Sequence, residues 1–71
     1  MRPIYPNLHK RMQECGVTMD DIAALCEITR IRCALKLYGV VPWTFTEVVR
    51  ICRLLDDKNA ESLFVRLDII S

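Results

Sequence analysis

Between Thr18 and Gly39 the sequence TMDDIAALCEITRIRCALKLYG sets apolar residues at helical spacing twice, with the short break Glu27-Ile28-Thr29 between. Each half opens on a threonine, whose hydroxyl accepts from an otherwise unpaired amide of a first helical turn. Asp20 and Asp21 follow Thr18, where carboxylates complement the positive end of a helix dipole. Ile22, Ala23, Cys26, Ile28, Cys33 and Leu37 can then face one shared core, with Leu25 beside them. Ala23 supplies the short side chain that two helices need where they cross steeply. The second of these helices is expected over Arg30 to Tyr38, ending at Gly39 and displayed on the surface.

The flanking sequence supplies three more helices. Asn7 is expected to cap a helix from Leu8 to about Cys15 that buries Leu8, Met12 and Cys15 and stops at Gly16, a residue suited to a left-handed cap. Lys10 and Arg11 lie off that face, as solvated charge or as phosphate contacts. Val40 to Phe45 reads as a loop, because Pro42 blocks a continuing helix. Thr44 and Glu47 match a capping box, each satisfying the other's backbone amide. The helix they open extends to about Leu55, with Val48, Ile51, Cys52 and Leu55 inward and Arg50 and Arg53 outward. Asn59 caps a last short helix carrying Leu63 and Phe64. The tail, Leu67-Asp68-Ile69-Ile70-Ser71, is apolar and either lies on the core or joins a copy of itself. The expected fold is all-α, a compact five-helix bundle forming one domain over residues 1–71.

A chain of 71 residues buries only about 60% of its extended surface. Its hydrophobic share of 52% compensates, so folding needs no metal or cofactor, though self-association would help. No apolar run is long enough to cross a membrane, and the MRPIYPN opening lacks a signal-peptide core, so the cytoplasm is expected. Cysteines 15, 26, 33 and 52 form no C-x-x-C pair, and three of them fall on apolar helical faces, where a thiol packs as a small hydrophobe. With no nucleophile–base–orienter set and no glycine-rich phosphate loop, the chain is not expected to be an enzyme. Ten basic against nine acidic residues leave a net charge of +1, so any nucleic-acid binding rests on a local patch.

That patch centres on the 30–38 helix. With Cys33 and Leu37 inward, Ile31, Leu35 and Tyr38 recur at i, i+4 and i+7 on the outer side, flanked by Arg30, Arg32 and Lys36. Three readings remain open. The stripe is core, covered by the Trp43 loop or the tail; or it is a protein-binding surface; or it enters a major groove, where Ile31 and Leu35 touch thymine methyls. In the last case Arg30 and Arg32 suit guanine, because a guanidinium fork matches the O6/N7 acceptors. Trp43 is expected to close the core rather than stack on a base.

From Tyr5 to Phe64 the chain resembles the lambda-repressor-like, Cro-type (xenobiotic-response-element type) helix-turn-helix family. The resemblance is carried by Tyr5-Pro6-Asn7-Leu8, Gly16-Val17-Thr18, Asp21-Ile22-Ala23 with Leu25, Ile28-Thr29, Lys36-Leu37-Tyr38-Gly39, Pro42-Trp43-Thr44 with Glu47, and Leu63-Phe64. It implies a DNA-binding transcription regulator of phage or mobile-element type, working on double-stranded DNA as a homodimer. The family's base-reading positions match Arg30, Ile31, Arg32 and Leu35. Lys10, Arg11 and Lys36 would support them on phosphates, and the dimer would form through the last helix with Leu67, Ile69 and Ile70. The chain departs from the family pattern at Leu35, usually polar, and at Met19, where a phosphate-binding residue is usual. Val40-Val41 replace a basic or polar loop, and Glu27 replaces a glycine. The alternative is a degenerate member that binds protein through Ile31, Leu35 and Tyr38, with Leu67, Ile69 and Ile70 as further interface residues.

Overall fold

The computed structural model describes residues 4–66, which form five helices and, among the described residues, no strand. They are α1 (Pro6–Cys15), α2 (Met19–Cys26), α3 (Arg30–Leu37), α4 (Phe45–Leu54) and α5 (Ala60–Leu63). Among the described residues no helix is long and apolar enough to cross a membrane.

The threonine signals operate as the spacing predicts. Thr18 Oγ1 accepts from the Asp21 amide at 3.2 Å while the Asp21 carboxylate accepts from the Thr18 amide at 2.9 Å. Thr29 accepts from the Arg32 amide and so starts α3. Thr44 and Glu47 form the reciprocal pair that opens α4, and Asn59 caps α5 through the Ser62 amide.

The opening of α1 differs from expectation. Pro6 takes the first helical position, where its fixed φ is already helical and its missing N–H costs nothing. The cap position therefore falls to Tyr5, and Asn7 is not the cap. Its Nδ2 donates instead to the Ser62 carbonyl at 2.8 Å, tying α1 to α5. Cys15, expected inward, is exposed, because the helix ends there and Gly16 (φ 67°) turns the chain away.

Tyr5, Leu8, Met12, Ile22, Ala23, Cys26, Cys33, Ile51, Leu55 and Leu63 form the core. Trp43 closes it, as expected, its ring edge-on to Phe64 at 5.9 Å, and Phe64 in turn meets Tyr5 at 6.0 Å. Between α2 and α3 the chain turns at Glu27, whose φ of 58° is left-handed. A non-glycine residue there costs on the order of 1 kcal/mol, offset by the Glu27 amide, which donates back to α2. Arg50 braces the same corner from α4, donating to the Leu25 carbonyl at 3.3 Å with the Glu27 carboxylate 3.8 Å away.

Two basic residues expected at the outer surface are turned inward. Arg11 Nε donates to the Leu55 carbonyl at 3.0 Å, satisfying an acceptor left free at the end of α4. Lys36 is only 3% exposed. Its ammonium is paired with Glu47 Oε1, which also accepts from the Thr44 amide, and it lies 5.7 Å from the centre of the Trp43 ring. The cap that starts α4 thus places a carboxylate against α3, and only a cation long enough to reach it can balance that charge. Burial alone would raise the Glu47 pKa. The hydrogen bonds from Lys36 and Thr44 and the ammonium charge outweigh burial and hold it below the ordinary glutamate value.

Because the folded carboxyl titrates below its unfolded value, its contribution is complete above about pH 4.3 and is lost as pH falls through the folded pKa. Glu47→Gln should lower unfolding free energy at pH 7 by about 3 kcal/mol, the cost of breaking a buried pair. In urea melts followed by circular dichroism, the gap from wild type should close on acidification below that value. A gap that stays constant down into strong acid would show that the ion pair does not carry the effect.

Candidate nucleic-acid interface

The sequence of α3 divides the helix between two environments. Cys33 is fully buried, its thiol 3.6 Å from the Met19 carbonyl of α2, while Leu37 packs on the core and Lys36 is fixed to α4. The opposite side is left to solvent: Ile31 is 77% exposed, Leu35 37% and Tyr38 54%. The reading of this stripe as the domain's own core is therefore overturned. Val40, just beyond the helix, extends the apolar surface.

Arg30 and Arg32 stand in the first turn of α3, both exposed. Arg30 Nε lies 3.3 Å from Asp20 Oδ1, and both side chains are more than two-thirds solvent-accessible. An ion pair that open holds its partner weakly, so the guanidinium can exchange Asp20 for another acceptor. Arg32 makes no ion pair among the described residues. The four positions expected to read bases are thus all exposed, Ile31 and Leu35 on the outer stripe of α3 and Arg30 and Arg32 on its two flanks.

The three expected phosphate contacts do not stay together. Lys10 is exposed on α1 and makes no ion pair among the described residues. Arg11 is drawn to the end of α4 and lies 3.8 Å from Glu14, and Lys36 is consumed by Glu47. Both corrections have one cause: a buried or helix-terminal acceptor within reach binds a cation more strongly than solvent does. Leu67, Ile69 and Ile70 lie outside the described residues.

A hollow of about 420 Å³ borders α3 where α1 and the start of α2 meet it, lined in part by His9, Gln13, Thr18, Met19 and Tyr38. His9 and Gln13 side chains contact each other at 3.3 Å, one turn apart on α1. They are donors beside α3 that the sequence reasoning passed over. The signal available was their i, i+4 spacing on the polar side of α1. Met19, unsuited to a phosphate, packs its side chain against the core.

Among the described residues no three His, Cys, Asp or Glu side chains converge as metal ligands. Burial raises the pKa of Cys26 and of Cys52, and burial together with Cys26 and Glu47 pushes Cys33 up to about 11. No protein-family model matches the chain, and neither does any curated protein or solved structure.

The thiols offer a direct check on this packing. At pH 8 only roughly a thousandth of Cys33 would be thiolate, and it is shut from solvent, so a disulfide reagent should label exposed Cys15 first. Cys33 should react only when the chain unfolds. Mass-spectrometric mapping of the labelled peptides separates the two, and rapid native labelling of Cys33 would contradict the seating of α3.

Proposed function

We propose that the chain is a small Cro-like helix-turn-helix DNA-binding transcription regulator, of phage or mobile-element type, that inserts α3 into the major groove of double-stranded DNA. The observation that carries this reading is an exposed Ile31–Leu35 stripe flanked on either side by the exposed Arg30 and Arg32, on a helix whose opposite side is anchored in the core. Arg32 is the guanine reader, its fork matched to O6 and N7, and Arg30 joins it by leaving Asp20. Ile31 and Leu35 meet thymine methyls. Lys10 contributes phosphate contact, with His9 and Gln13 as hydrogen-bonding side chains beside it. A single reader of this size spans few base pairs, so a homodimer on a two-part site completes the function.

A second reading is favoured by the apolar stripe itself. Ile31, Leu35, Tyr38 and Val40 form exposed hydrophobic surface, and two expected phosphate cations are engaged inside the fold. In this reading the domain has given up DNA and α3 binds a partner protein.

Fluorescence anisotropy on duplexes selected from a random library distinguishes them. A DNA reader should lose affinity with salt, log K falling by about 0.9 per phosphate contact for each decade. Arg32→Ala should weaken a selected site by about 1–3 kcal/mol and relax its base preference, whereas Lys10→Ala should weaken all duplexes alike. Absence of binding at low salt ends the DNA reading and leaves the partner-protein one, for which Leu35→Glu should abolish partner capture with helicity unchanged.

A further inference from the structure

Helix α4 carries a second unpartnered face. Glu47, Ile51 and Leu55 point into the core. On another side Phe45, in the first turn, is 83% exposed, the most exposed large hydrophobic residue among those described. Val48, Val49 and Cys52 follow it at i+3, i+4 and i+7 and are half-buried. The stripe lines a shallow hollow of about 490 Å³ that runs from Phe45 past the two valines to Cys52, Arg53, Asp56, Asp57 and Lys58, with Ala60 of α5 behind. One helix therefore bears an aromatic knob at its start, beside a recess whose far end is walled by Cys52 and by the charged residues that follow it.

We propose that this face is a homodimer interface: a second copy docks across a two-fold axis near Val49, α4 antiparallel to α4, each Phe45 ring entering the other copy's recess. A two-fold interface requires one patch to complement itself, residue i meeting j while j meets i. Phe45 and the Cys52–Arg53 recess satisfy this, because a perpendicular two-fold exchanges the two ends of the helix. They are about 11 Å apart at 1.5 Å per residue, which puts the axis midway, at Val48–Val49. The valines are compact enough for two helices to approach at about 8–10 Å.

Charge selects the same arrangement. Antiparallel packing brings Asp56 and Asp57, just beyond the end of α4, to the positive N-terminal end of the opposing α4. Arg53 and Lys58 flank the same recess as those two carboxylates; their stems cover the incoming ring while the carboxylates receive the helix end that carries it. A parallel arrangement would set Asp56 and Asp57 against their own copies. The interface gives a surface to the pairing expected of the DNA reader, a pairing the sequence placed at the last helix and tail. It does not rest on DNA binding. A face one helix long sits at the small end of specific interfaces, so association belongs in the micromolar range.

Sedimentation velocity of the full chain without DNA, across micromolar to millimolar concentration, tests the inference. Wild type should pass from monomer to dimer. Phe45→Glu should weaken association at least tenfold. Phe45 is open to solvent and an acidic residue suits a first helical turn, so the fold survives, as circular dichroism would verify. Val49→Glu, which opposes like charges at the axis, should act in the same way. Leu35→Glu on α3 should leave the dimer unchanged. A wild-type chain that stays monomeric, or a dimer that tolerates both α4 substitutions, or one that dissociates with Leu35→Glu instead, would overturn the interface. A chain that stays monomeric would also remove the pairing expected of the DNA reader, while DNA contact by α3 itself is decided separately by the duplex titration.

Discussion

The buried contact between Lys36 and Glu47 is the constraint around which the surface is arranged. Two charges taken out of water add little net stability compared with well-packed apolar groups, but displacing either leaves the other uncompensated, at a cost of about 3–5 kcal/mol. The pair therefore acts mainly on position. Glu47 is already held by the Thr44 amide and cannot follow Lys36 if α3 rolls. Trp43 covers the pair from the loop, the Lys36 ammonium facing its ring. One rotational setting of α3 satisfies all of these contacts together, and it leaves Ile31, Leu35 and Tyr38 outside.

Three polar side chains outside the core repeat this logic at lower stakes. Arg11 satisfies the Leu55 carbonyl, Arg50 the Leu25 carbonyl and Asn7 the Ser62 carbonyl. Each joins a side chain from one helix to a backbone acceptor on or beside another. In so small a chain the apolar core is limited, and such ties fix helix ends that few hydrophobic contacts reach. Their consequence for function is subtractive. Cations that the composition would lend to nucleic acid are committed to the fold, and the exposed positive charge near α3 contracts to Arg30 and Arg32.

The helices were legible because their signals are local. Thr18, Thr29, Thr44 and Asn59 are caps whose partners each lie three residues away, so spacing alone locates them. Ile22, Cys26, Cys33, Ile51 and Leu55 follow a 3.6-residue period, and all are buried. The Ile31–Leu35–Tyr38 stripe of α3 was legible in the same way, but that nothing in the described residues covers it was decided by the fold. Asn7 and Cys15 misled at helix ends. There Pro6 at the first position outcompeted an asparagine cap, and the turn at Gly16 carried a periodic position out of the core.

What the sequence determined by itself was the order and type of the helices and most of the positions they bury, since each follows from periods and caps spanning a few residues. Only the tertiary structure decided which charges stay available. Lys36 meets Glu47 eleven positions away, and Arg11 meets Leu55 across forty-four. A lysine on a helix face reads the same whether it ends in water or against a carboxylate. The difference arises only when another helix brings an acceptor within reach and removes the solvent between them.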